Sequence, residues 1–161
     1  ALARASALAP TEQEQLFWAK GAHNCIEVEA QLHREWLAGR DVRLEQGPVT
    51  KAYVDHLLAV SATGSYAELV AAVVPCYWLY AHVGSELHAG YKASGASGHP
   101  YGAWIETYAD DDFAEATRQA VAIMDAAARQ LPEQDRERMA AAFEHSARYE
   151  LQFFDAPRLY A

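Results

Sequence analysis

The sequence predicts an all-α protein, and three observations carry that prediction. Apolar residues recur every three or four positions along each long segment, no segment alternates apolar and polar residues at the two-residue period of a strand, and clusters of Pro, Gly and Ser fall between the periodic segments.

The first helix is expected from Thr11. Thr11-Glu12-Gln13-Glu14 reads as a capping box after Pro10, and Leu16, Trp18, Ala19, Ala22, Ile26, Leu32 and Trp36 then form an apolar stripe that ends near Gly39. Gly47-Pro48 breaks a polar stretch and opens a second helix carrying Tyr53, Leu57 and Val60, which stops at Thr63-Gly64. A third apolar run, from Tyr66 to about Ala89, contains Pro75, whose ring and missing N–H free the Ala71 carbonyl and predict a kink. Ser94 to Pro100 reads as a Gly/Ser loop, and Tyr101 to Tyr108 as two helical turns. Asp110-Asp111-Asp112 places acids at the start of a helix reaching Leu131. Pro132 opens the last helix, expected to run to about Asp155 and to stop before Pro157. The sum is about six helical segments in one domain spanning residues 1–161, with no internal linker or repeat.

Composition narrows the function classes. The chain is 52% hydrophobic, yet its apolar runs are broken by charge or turn residues before the roughly 18 positions needed to cross a bilayer, so no membrane role is expected. A net charge of −9, with the basic residues scattered, argues against a nucleic-acid partner. Two cysteines, Cys25 and Cys76, are too few for a disulfide framework, and no charged-then-apolar leader precedes them, so the expected compartment is the cytoplasm.

Three groups of residues are candidates for chemistry. In Pro75-Cys76-Tyr77-Trp78-Leu79-Tyr80 a cysteine follows a helix-breaking proline, and Tyr80 lies one turn further along the same face. That pattern fits a nucleophile in a shaped pocket wall and also fits the commoner role of a lone cysteine, a small buried hydrophobe. Glu150, set in Ala147-Arg148-Tyr149-Glu150-Leu151-Gln152-Phe153-Phe154, is either solvated, where Arg148 or Arg158 would pair with it, or desolvated with a raised pKa suited to proton transfer. Trp104 and Tyr108 stand one turn apart, and Tyr53 lies within the second helix. One cysteine, one apolar-framed glutamate and several phenols form a kit for nucleophilic attack with proton delivery to a leaving amine, and flat aromatic walls suit a planar heterocycle.

Three ordered motifs, Pro75-Cys76-Tyr77-Trp78, then His99-Pro100-Tyr101 with Trp104-Ile105-x-Thr107-Tyr108, then Tyr149-Glu150-x-Gln152-Phe153, together resemble the thiaminase II, or TenA, family. The resemblance runs from about Glu27 to Phe154 and takes in Leu32-His33-Arg34-Glu35 and Tyr53-x-x-His56-Leu57. It implies a heme-oxygenase-like helical bundle, usually a homotetramer, without metal or organic cofactor. The implied reaction hydrolyses 4-amino-5-aminomethyl-2-methylpyrimidine, and thiamin itself, to the hydroxymethyl pyrimidine. Matched by position, Cys76 corresponds to the family's nucleophile, Glu150 to its acid/base, Tyr53, Tyr80 and Tyr108 to its pocket phenols, and Phe153 to an aromatic beside the pyrimidine. Cys76 places the chain in the cysteine-bearing branch. One departure is that the family begins with further helices carrying a pyrimidine-binding aspartate and a tyrosine near the nucleophile, and Ala1 corresponds to a point past both. The expectation is therefore a domain short of its N-terminal portion, with Trp18, Ile26 and Trp36 uncovered and driving homo-oligomer formation with D2 symmetry.

Other chemistries fit less well. No Glu is followed three residues later by His, as a di-iron bundle requires, the seven histidines are dispersed, and Asp110-Asp111-Asp112 lacks the spacing of a calcium loop. A heme oxygenase would leave the cysteine motif unexplained. The competing reading is a truncated or degenerate family member that binds a pyrimidine or a partner without turnover.

Overall fold

The structure, a computed structural model, describes residues 1–40, 45–95 and 98–159, and every regular element among them is helical. The chain runs through α1 (Leu2–Leu8), α2 (Glu12–Asn24), a π-turn (Cys25–Glu29), α3 (Ala30–Leu37), α4 (Pro48–Thr63), α5 (Tyr66–Ser94), α6 (Gly102–Tyr108), α7 (Asp111–Arg129) and α8 (Glu133–Leu159).

The starts follow the expected chemistry. Thr11 caps α2 by accepting the Glu14 N–H at 3.2 Å, Ser65 caps α5 by accepting from Glu68, Asp110 caps α7 by accepting from Asp112, and Pro48 occupies the first turn of α4. The expected first helix is divided: at the π-turn the Ala30 N–H bonds to the Cys25 carbonyl five residues back, which separates α2 from α3. It ends where expected, Gly39 supplying the positive φ of +76° just beyond α3.

α5 is the central element and packs against α1, α4, α6, α7 and α8. It continues through Pro75. From Leu69 to Pro75 every residue is buried, because this stretch is apolar on all sides and is surrounded on all sides. By length and composition α5 could cross a bilayer, but half of its most apolar window lies inside the bundle, as in a core helix. Leu69, Val70, Val73 and Val74 form the main core with Trp18 and Ala120, and a satellite cluster joins Ala67 and Ala71 to Met139.

Two expectations need correction. α1 was not anticipated, and it changes the surface: Ala5 and Ala9 pack in the core with Trp18, which is fully buried rather than uncovered. The Trp18 indole also donates to the Tyr66 hydroxyl at 2.8 Å, and that hydroxyl donates in turn to Glu14, so the polar edge of the ring is satisfied. Ile26, at 71% exposure, and Trp36 do remain exposed. Second, α8 passes Pro157 and ends at Leu159, because a proline in the last turn removes only the bond to the Phe153 carbonyl. The eight described α-helices are the six expected segments with α1 added and the first segment divided at the π-turn. The loop expected from Ser94 to Pro100 lies partly outside the described residues.

Candidate active site

The site begins where α5 leaves the core. Cys76 follows the buried Leu69 to Pro75 stretch and is the first residue open to a cleft beside the helix. Tyr80 lies one turn on, and both line a cavity of about 830 Å³. α6 brings Trp104 and Tyr108 to the same cavity, and α8 brings Phe153 and Phe154. The Tyr80 ring is the hub, with its centroid 4.9 Å from Tyr108, 5.5 Å from Phe154 and 5.9 Å from Trp104. α6 can approach this closely because Gly84 has no side chain: a Cβ there would lie 2.7 Å from the backbone of Tyr108.

Glu150 and Tyr53 do not line the cavity. Glu150 is 2% exposed, its carboxylate accepts the Tyr53 hydroxyl at 2.9 Å, and the Cys76 thiol lies close enough to act on it electrostatically. The cysteine thus stands between a buried carboxylate and the open cleft. Tyr53 is fixed by stacking on Tyr149, with centroids 5.6 Å apart. Neither Arg148 nor Arg158 pairs with Glu150; they bond Glu144 and Asp155. Burial therefore dominates and raises the Glu150 carboxyl above its ordinary value, against the lowering effect of the neighbouring Tyr53 hydroxyl and Cys76 thiol.

Cys76 is exposed on the cleft side, yet its thiol lies in a dense and acidic surrounding. Burial, followed by the charges of Glu150 and Glu29, pushes the thiol well above its ordinary value. The sulfur therefore carries its proton, and Glu150 is the base that can take it. The phenols of Tyr53, Tyr80 and Tyr108 are likewise raised, chiefly by burial, and remain neutral donors.

The six residues singled out in the sequence thus meet in one place, in two layers: Cys76, Tyr80, Tyr108 and Phe153 at the cavity wall, Glu150 and Tyr53 behind it. Sequence reasoning missed Glu29 and His33, which line the same cavity from the π-turn and α3. The charge of Glu29 also acts on Cys25, whose thiol is pushed up to about 11, mainly by burial. The only hint was that His33 belongs to the Leu32-His33-Arg34-Glu35 motif. Among the described residues, no group of three or more His, Cys, Asp or Glu side chains converges to hold a metal ion.

The profile of the TENA/THI-4/PQQC family matches residues 1–160. The thiamine biosynthesis multifunctional protein ThiED of Corynebacterium glutamicum is 40% identical over 155 residues, which cover 96% of this chain and 20% of that protein. The aminopyrimidine aminohydrolase of Halalkalibacterium halodurans is 32% identical over 145 residues, covering 86% of this chain and 63% of the hydrolase. The chain therefore spans a fifth of the length of the first curated relative and less than two thirds of the second. A TenA homologue from Pyrococcus furiosus has the same fold, with a TM-score of 0.85 at 22% identity, over 96% of this chain and 73% of that one.

Proposed function

Because the chain belongs to the TENA/THI-4/PQQC family, we propose that it carries the catalytic pocket of a thiamin-salvage aminopyrimidine aminohydrolase, with Cys76 as nucleophile and Glu150 as proton carrier. The substrate is the aminomethylpyrimidine, or thiamin, and the product is the hydroxymethylpyrimidine. The observation that carries this is the Cys76 thiol held between a buried carboxylate and an aromatic cavity. The Halalkalibacterium relative is an aminopyrimidine aminohydrolase and the Corynebacterium relative a thiamine biosynthesis protein, which supports this reading.

The substrate ring lies among Tyr80, Tyr108 and Phe153. As the sulfur bonds to the pyrimidine ring, the thiol proton passes to Glu150. The exocyclic C–N bond then breaks with its electron pair going to the nitrogen, which takes the proton from Glu150 as it departs. Water next adds its oxygen to the exocyclic carbon and gives a proton to Glu150. The sulfur leaves the ring and takes that proton back, which restores both groups. Tyr53 steadies the carboxylate through each exchange by its hydrogen bond. Glu150 is buried beside the sulfur, so it exchanges protons only with groups that reach the Cys76 end of the cleft and not with bulk water.

The chain acts in the cytoplasm as a homo-oligomer, a tetramer by analogy with the family. Exposed Ile26, Leu58, Trp78 and Leu151 support the association, and a monomer by sedimentation at micromolar concentration would contradict it. The activity is tested by incubation with aminomethylpyrimidine or thiamin followed by chromatography of the product. Release of hydroxymethylpyrimidine that depends on Cys76 is expected. Binding of the pyrimidine with no product would instead support the non-catalytic alternative.

A further inference from the structure

The cavity contains a carboxylate that the Glu150 proton path does not use. Glu29 is the last residue of the π-turn, half-buried, and lines the cavity together with Cys76, Tyr80 and Tyr108. π-turns are uncommon and recur at functional sites, and this one carries Cys25 at one end and Glu29 at the other. The charge of Glu29 is felt by Cys76, Tyr80 and Tyr108, and burial raises its own carboxyl above the ordinary value while His33, one turn on, lowers it. Among the described residues that line the cavity there is no Lys or Arg, and Glu86 adds a further acid at the wall. A negative, aromatic-walled cavity of this kind favours a flat cation over a flat neutral molecule.

The two substrates named above share one feature that their common product lacks. Each carries a positively charged nitrogen on the exocyclic carbon, an ammonium in one and a thiazolium in the other, whereas the product carries a neutral hydroxyl there. We propose that Glu29 is the specificity residue that binds this cationic nitrogen at the mouth of the reaction and lets the neutral product go. The inference rests on the chain being a pyrimidine hydrolase. It gives the two carboxylates separate tasks, Glu150 exchanging protons with the sulfur and Glu29 reading charge.

The test is isothermal titration of aminomethylpyrimidine and hydroxymethylpyrimidine into the wild type, Glu29→Gln, Glu29→Ala and Glu29→Asp, each first checked for its helical circular dichroism. The wild type must bind the amine more tightly than the alcohol. Both neutral variants should weaken the amine by about tenfold or more, as for loss of a charged partner, while the alcohol stays within about twofold, and Glu29→Asp should keep a preference for the amine. A wild type with no preference overturns the inference even if a variant fails to fold. Neutral variants that weaken both ligands alike, or neither, overturn it and leave the hydrolase reading standing. A wild type that binds neither pyrimidine overturns both.

Discussion

Replacing Glu150 by glutamine separates the chemical role of this side chain from its structural one, because the two respond in opposite senses. Glutamine keeps the shape and an oxygen that can accept the Tyr53 hydroxyl, now 2.9 Å from the carboxylate. It cannot take up the Cys76 proton. Loss of a positioned proton carrier lowers the rate by roughly a hundredfold or more, so single-turnover hydrolysis should fall by that factor while pyrimidine affinity is retained. Stability should move the other way. Burial raises the Glu150 carboxyl in the folded protein, and a carboxyl raised on folding favours the native state only at low pH. Its contribution is fully present below the unfolded pKa and is lost as pH rises through the folded one, at about 1.4 kcal/mol for each tenfold change in the acidity constant. The wild type should therefore lose stability relative to Glu150→Gln as pH rises from about 4 towards neutrality. Denaturant unfolding of both proteins across that range measures the difference directly. An unchanged single-turnover rate, or a stability difference independent of pH, would refute the assignment of Glu150 as a buried proton carrier.

Four further outcomes follow from the same geometry. Cys76→Ser should lose activity by about a hundredfold or more, since a hydroxyl is a far weaker nucleophile, whereas Cys25→Ser, in the π-turn, should change the rate by less than about threefold in the same assay. Tyr53→Phe removes a hydrogen bond that lowers the Glu150 carboxyl, so the limb of the pH–rate profile that reports Glu150 should move to higher pH; a shift to lower pH would contradict the contact. Gly84→Ala puts a Cβ 2.7 Å from the Tyr108 backbone, which should cost about 1–3 kcal/mol in unfolding experiments and raise KM as α6 and Tyr108 move away. Trp18→Ala should destabilise by about 3–5 kcal/mol, because Trp18 is fully buried and bonds Tyr66; a near-neutral effect would mean that α1 does not cover it.

The sequence by itself determined the helical class and most helix starts, and it singled out six residues that the structure brings together. Caps act over three or four positions, so Thr11, Pro48, Ser65 and Asp110 announce their helices locally. The spacing from Cys76 to Tyr80 and from Trp104 to Tyr108 likewise fixes which rings share a face. Pro157 misled the same local reasoning, because the cost of one missing bond depends on how close it falls to the helix end.

Only the tertiary structure decided which layer each residue occupies. Glu150 reads equally as a surface acid or a buried one until α8 is packed against α4 and α5, which brings it to Tyr53 from 97 positions away and to Cys76. α1 was invisible for a related reason: a seven-residue helix of small residues has too little periodicity to detect, and it is held by the Trp18 surface that it covers. Glu29 was hidden because a π-turn inserts one residue into the helical count, and nothing in the local pattern around Cys25 to Glu29 signals it. Burial raises both carboxyls and sets the Cys76 thiol between Glu150 and the cleft. Desolvation is a property of everything packed around a group, most of it distant in the chain, and so it exists only once the bundle is assembled.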